Sequence, residues 1–207
     1  MKNKNDITVM LKEAGILFAI TLIAGLLLGV VNELTKEPIR IQKEKAIQEA
    51  CSAVFQEASS FEQIEYAPGE ELQQELSGMG VKIGNVYRAL AGDNALMGYV
   101  LESTSTQGYG GNIVLYLGVT MDGTLNAISI LEISETAGLG MLAPEVLVPQ
   151  FENRKADSFV YTRTGAAAEN EIDAITSATI TTKAVTDAVN GGLKAAQSLR
   201  EGGAGNE

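Results

Sequence analysis

The chain has 207 residues, 45% of them hydrophobic, and a formal net charge of −11, enough for one domain of ordinary size plus an anchor. The charge is uneven: residues 1–45 hold seven Lys/Arg against five Asp/Glu, and the remainder holds eight against twenty-one, so a nucleic-acid backbone would be repelled and nucleic-acid binding is not expected. With no histidine and a single cysteine, Cys51, the chain has no histidine base, no His-ligated haem, too few thiolates for an iron–sulfur cluster, too few Cys or His for an ordinary structural zinc site, and no internal disulfide. Cys51 does not indicate a redox compartment. Redox chemistry here would need an organic cofactor.

From the N-terminus, Ala14 to Val31 is an uncharged run of eighteen residues, AGILFAITLIAGLLLGVV. As a helix it reaches about 27 Å, close to the hydrocarbon thickness of a bilayer. A cleaved signal peptide is the plainer alternative. However, the apolar stretch exceeds the usual signal core, and Asn32-Glu33-Leu34 follows it in place of a small-residue cleavage site. Lysines flank both ends, so charge does not orient the span. Residues 36–60 are expected to continue as helix, and Glu62–Leu76 reads as acidic and irregular around a Pro68-Gly69 turn. Beyond this the period shortens. Val86–Leu90 and Met97–Glu102 predict one strand pair. Ile113–Met121 and Thr124–Ile133 predict a second, joined by Asp122-Gly123, a strong hairpin signal because glycine accepts positive φ. Met141–Arg154 has room for a short helix. Thr181–Arg200 is the clearest helix of the later part, with Val185, Ala188, Val189, Gly192, Leu193, Ala196 and Leu199 at helical spacing. The boundaries expected are 1–13 as a short leader, 14–31 as a transmembrane helix, 32–60 as a juxtamembrane helix, 61–200 as one domain and 201–207 as a tail.

Directly before the last helix stands Asp173-Ala174-Ile175-Thr176-Ser177-Ala178-Thr179-Ile180-Thr181-Thr182, with five hydroxyl side chains in seven positions. Capping of free N–H groups explains one or two of them. The same place is a ready phosphate site, where unpaired N–H groups and the positive end of the helix dipole meet an esterifiable hydroxyl. Two further blocks, Gly108-Tyr109-Gly110-Gly111 and Glu135-Thr136-Ala137-Gly138-Leu139-Gly140, read on their own as flexible turns.

The run D-A-I-T-S-A-T-I-T-T resembles the flavinylation motif of two related families, the RnfG component of the Rnf-type electron transport complex and the NqrC component of the sodium-translocating NADH:quinone reductase. Their pattern is roughly D-[GA]-x-[ST]-[GS]-A-T-x-[ST]. The resemblance implies that Thr179 carries FMN through a phosphoester, with Thr176, Ser177 and Ala178 around it. It also implies that a separate flavin transferase, using FAD and a divalent metal, makes the bond and reads Asp173. The family has E-T-P-G-L-G where this chain has E-T-A-G-L-G, so Glu135, Thr136, Gly138, Leu139 and Gly140 are expected against the isoalloxazine ring. Gly138 and Gly140 would let backbone approach it. Tyr109 and Gly110 of the G-Y-G-G block are expected near the same pocket. No residue is assigned a catalytic role and no metal site is expected. The three blocks occur in the family's order, residues 51–80 are the weakest stretch, and length favours the RnfG type over the NqrC type.

The expected fold is α+β: one N-terminal transmembrane helix, then an FMN-binding domain in which an antiparallel sheet packs against helices. The resemblance implies an electron relay, acting with the other subunits of a complex that couples electron flow between ferredoxin and NAD⁺ to Na⁺ or H⁺ transport, and a domain on the outer face of the membrane. Two alternatives stay open: an anchored non-redox domain that binds a ligand or partner, and an FMN-binding subunit of another reductase.

If residues 14–31 are a retained anchor, carbonate washing will leave the protein in the membrane fraction and N-terminal sequencing will start at or near Met1. Protease added to spheroplasts will reach the later domain. A mature N-terminus beyond Val31 contradicts the anchor.

Overall fold

The structure is a computed structural model that describes residues 4–203. The chain divides into two compact units, Met1–Ala46 and Ile47–Glu207. The first consists of helix α1 (Lys4–Val54) up to Ala46. Its large apolar side chains from Ile16 to Val31, Phe18, Leu22, Leu26 and Leu28 among them, are each more than half exposed. A helix apolar on every side has no polar face for water. It is also the one helix among the described residues long and apolar enough to cross a membrane. The helix expected to continue over residues 36–60 does so as part of α1, which carries Pro38 inside it and ends at Val54, six residues earlier than expected.

The second unit is built on a five-stranded antiparallel meander in the order β1 (Ser60–Ile64), β2 (Val81–Leu90), β3 (Leu96–Ser105), β4 (Ile113–Thr120), β5 (Leu125–Glu132). Period-two alternation separates its faces. Tyr99, Leu101, Leu115, Leu117 and Val119 face the larger core, with helix α4 (Thr179–Gly203) against them. Val100 and Tyr116 face the smaller core with Ala50, Cys51, Val54 and Phe55 at the end of α1. Two strand glycines make that second contact possible: a Cβ at Gly98 or Gly118 would lie within 2.8 Å of the Phe55 ring. Helix α4 approaches closely for the same reason, since a Cβ at Gly192 would lie 2.4 Å from Leu117 Cδ2. Ser103 Oγ, buried in the sheet, donates to the Ala188 carbonyl at 2.7 Å.

Of the expected elements, the first strand pair and the last helix are present with longer ends, while the second pair is shorter by one residue at the end of β4 and by one at each end of β5. β2 begins at Val81, not Val86, because a register shift between Ile83 and Val86 breaks its alternation. Gly123 has the positive φ, +88°, that the hairpin reading required. The stretch read as irregular holds β1 and α2 (Glu70–Gly78). β1 is an edge strand whose Glu62 and Gln63 are exposed, the polar composition that edge strands tolerate. α2 buries only Leu76, too little for a helical stripe. Met141–Arg154 contains α3 (Ala143–Val146) between two 3-10 turns. A two-stranded parallel pair, β6 (Val160–Thr162) and β7 (Glu171–Asp173), was not anticipated, since three residues are too few to display a period.

Cys51 is 1% exposed, and burial pushes its thiol up to about 11 from an ordinary value of 9.0. The thiolate is the reactive form. At pH 8, alkylation of the folded chain will therefore run about a hundredfold or more slower than in denaturant, as two pH units imply. The fold holds this proton more tightly than the unfolded chain does, so the stability it contributes is complete below pH 9 and declines as pH rises toward 11. Equal labelling with and without denaturant would place Cys51 at the surface.

Candidate functional site

Three segments separated in the chain meet beside the start of α4. They are the loop after β3, the loop after β5, and the turn Asp173–Ala178 that leads into the helix. They enclose a groove of about 490 Å³, within the usual size of small-ligand sites. The first loop contributes Tyr109; the second Glu135, Thr136, Leu139 and Gly140; the third the stretch from Ser177 to Thr181.

Glu135 ties the three together. Its Oε1 accepts from the Gly110 N–H at 3.2 Å and its Oε2 from Thr181 Oγ at 3.0 Å. Glycine is required around it for space. A Cβ at Gly110 would fall 1.8 Å from the Ser134 carbonyl oxygen, and one at Gly140 would fall 2.5 Å from Thr181 Oγ1 and 2.7 Å from Glu135 Cβ. Gly138 is different: nothing lies within 4 Å of its Cβ position, but its φ is +75°. There the constraint is the turn, closed by N–H groups of Leu139 and Met141 on the Thr136 carbonyl.

The hydroxyls before α4 divide their tasks. Thr182, fully buried, accepts the Ile175 N–H at 3.1 Å and donates to the Ala178 carbonyl at 3.0 Å. This brace holds the turn from inside the helix. Thr181 serves Glu135. Thr179, half-buried, opens to the groove, and its Oγ1 accepts from Arg163 Nη2 at 3.2 Å. Ser177 has φ +62°, a left-handed conformation that costs a non-glycine residue about 1–2 kcal/mol. This is the position where the flavinylation pattern more often has Gly. Thr176 is exposed and outside the groove lining, as are Gly110 and Gly138. Asp173 also lies outside it: its carboxylate accepts the Ala166 N–H at 2.7 Å, and its own N–H donates to Gln150 Oε1 at 2.6 Å. Of the twelve site residues expected, eight line the groove: Tyr109, Glu135, Thr136, Leu139, Gly140, Ser177, Ala178 and Thr179. The expectation omitted Ile180 and Thr181, which line it, and Arg163, whose one available signal was its solitude: it is the only Lys/Arg between Lys155 and Lys183.

The groove therefore combines two kinds of chemistry. The first N–H groups of α4 have no intrahelical acceptor and the dipole is positive there, with Thr179 and Arg163 beside them. The lining also includes the exposed side chains of Tyr109, Leu139 and Ile180, apolar surface suited to a flat ring. These residues fit a phosphorylated aromatic ligand. Among the described residues no group of carboxylates or thiols has the makings of a metal site.

Residues 108–194 match the family model of an FMN-binding domain, and residues 1–54 match that of the RnfG N-terminal region. The chain is similar to the RnfG-type component of the Na⁺-translocating ferredoxin:NAD⁺ oxidoreductase complex of Acetobacterium woodii, with 31% identity over 94% of this chain and 95% of that one. It is 33% identical to the corresponding component of the proton-translocating ferredoxin:NAD⁺ oxidoreductase complex of Clostridium ljungdahlii, over 86% and 90%. The corresponding component of an ion-translocating oxidoreductase complex of Methanosarcina acetivorans is 26% identical over 92% and 94%. The crystal structure of Shewanella oneidensis NqrC has the same fold, with a TM-score of 0.52 and 14% identity, covering 77% of this chain and 97% of that one.

Glu135→Ala leaves the Gly110 N–H and the Thr181 hydroxyl without their acceptor. Hydrogen bonds to a charged group contribute about 1.5–3 kcal/mol, less where water replaces them. The Gly110 amide will exchange with deuterium faster and the thermal midpoint will fall by a few degrees. Unchanged exchange at Gly110 would show that Glu135 does not join these loops.

Proposed function

The chain belongs to the RnfG family of ion-translocating oxidoreductase complexes, and on that footing we propose that it carries FMN on Thr179 and relays electrons between other subunits. The observation that carries this reading is the position of the Thr179 hydroxyl: it stands in the first turn of α4, beside a guanidinium, and lines a groove that also has apolar side chains in its lining. FMN supplies reversible one- or two-electron transfer at its ring. The residues of the chain do the rest. The N-terminus of α4 stabilises the phosphate charge. Thr179 contributes the oxygen of the ester, and the Thr182 brace keeps that oxygen pointed at the groove. Tyr109, Leu139 and Ile180 would hold the ring through apolar contact, and the loop 135–140 would supply backbone near it.

Attachment needs a phosphoryl donor. The proposed donor is FAD, delivered by a flavin transferase that works with a divalent metal. The large apolar side chains of α1 from Ile16 to Val31, each more than half exposed, support single-pass anchoring in a membrane; the outer face is the side proposed for the later domain, from the family resemblance alone. The electron path proposed is part of ferredoxin:NAD⁺ transfer coupled to Na⁺ or H⁺ translocation. The relatives from Acetobacterium and Clostridium are named for different ions, so membership of the family leaves the coupling ion open.

Protein from its native host will exceed the chain mass by FMN less one water, and a peptide containing Thr179 will carry the addition. Thr179→Val will carry none; covalent flavin on that variant, or unmodified native protein, overturns the assignment in favour of a non-redox domain or another attachment point. Gly138→Val will keep the ester, because its effect lies at the ring end. A side chain forced to φ +75° displaces the loop, so the flavin absorbance and midpoint potential will shift. Superimposable spectra and equal potentials, with folding intact, would remove this loop from the ring.

A further inference from the structure

Arg163 lies outside every motif in the sequence, on the exposed loop between β6 and β7. Its Nη2 nevertheless donates to Thr179 Oγ1 at 3.2 Å. Carboxylates are close in the chain, at Glu169, Glu171 and Asp173, and an exposed arginine would ordinarily pair with one of them. Two of them are occupied by backbone. Glu171 Oε2 accepts the N–H groups of Ala167 and Ala168 at 2.8 and 3.2 Å, and Asp173 Oδ1 accepts that of Ala166 at 2.7 Å. The N–H groups on Glu171 hold its carboxyl below the usual range. These bonds close the loop on itself. Among the described residues Arg163 makes no ion pair and no bond except that to Thr179, so most of its five donors remain free beside the hydroxyl.

We propose that Arg163 is a positioning residue for the phosphoester, its guanidinium holding the phosphoryl group at Thr179 during attachment and afterwards. This rests on the reading of Thr179 as the attachment point. In attachment the Thr179 Oγ–P bond forms and the diphosphate P–O bond of FAD breaks. AMP leaves with the bonding electron pair, and the hydroxyl proton passes to solvent or to a base of the transferase; nothing is oxidised or reduced. The group attacked is anionic throughout, and the diester that remains keeps one negative charge in a domain already rich in carboxylates. A planar guanidinium fork matches two phosphoryl oxygens at once, which a lysine ammonium does not. Asp173 takes a part that its place at the head of the motif does not reveal: its carboxylate closes the loop that carries Arg163.

The test uses the full chain in detergent, with purified flavin transferase, FAD and Mg²⁺, followed by intact mass over time. Arg163→Ala will slow the gain of mass about tenfold to a hundredfold, the range for losing a charge-assisted hydrogen bond, and Arg163→Lys will restore part of the rate. In protein taken to full modification, the phosphorus-31 resonance of the diester will move in Arg163→Ala relative to the parent. Thermal unfolding before modification will be unchanged, because the side chain is exposed. A parental rate in Arg163→Ala overturns the proposal, and so does a slower rate without movement of the resonance, which would mean only a disturbed loop. If the parent itself gains no mass at Thr179, the attachment reading fails first; if the parent is modified and Arg163→Ala matches it, this inference alone fails.

Discussion

Everything at the groove depends on how closely α4 can approach the sheet. The helix presents Ala184, Ala188, Ala195 and Ala196, all fully buried, and Gly192 where a Cβ would strike Leu117. Small residues on one stripe bring the helix down onto the strands, where Ser103 in β3 bonds the Ala188 carbonyl. Burying Val185, Val189 and Leu193 in the same interface contributes about 1.5–3 kcal/mol for each. The N-terminus of a helix packed so tightly has little freedom. Its first turn meets the loop after β5 through Thr181 and Glu135, and with the loop after β3 they line one groove.

On this frame the polar groups are divided sparingly. One carboxylate, Glu135, joins the Gly110 loop to the first turn of α4, and one hydroxyl, Thr182, braces the turn before it. With those demands met by their own partners, Thr179 is left with a single bond, to Arg163. A hydroxyl that helps to hold the fold together is a poor place to attach a cofactor, because the bond must be lost on modification. Here the tasks are separate: Thr182 is buried and braces the turn, and under the proposed attachment Thr179 would give up only its bond to Arg163. Two of the carboxylates have a structural use, since Asp173 and Glu171 hold the loop that carries Arg163 through backbone N–H groups.

The sequence by itself determined the features that are local or periodic. The apolar run in α1, the hairpin at Asp122-Gly123, the alternation in β3 and β4 and the stripe of α4 are each a repeat of one physical preference over enough residues to be read. The hydroxyl-rich turn was legible as a helix start, and its likeness to a flavinylation pattern pointed to Thr179, to FMN and to the family. Short or polar elements were not legible: β6 and β7 have three residues each, β1 is an exposed edge, and α2 buries one side chain. None of these carries a period above the noise of neighbouring residues.

Only the tertiary structure decided who meets whom. That Glu135 spans 25 residues to Gly110 and 46 to Thr181 is a property of strand order, and no local preference encodes it. The two glycines of the Glu135 loop looked equivalent in the sequence, yet Gly138 answers to a positive φ and Gly140 to lack of space. Asp173 proved to sit outside the groove with its carboxylate on Ala166, and Arg163, sixteen residues from Thr179, proved to be the hydrogen-bond partner of its hydroxyl. Contacts of this kind arise when a tightly packed helix and a closed loop bring distant parts of the chain within about three ångströms, and a linear pattern of residue types holds no record of that distance.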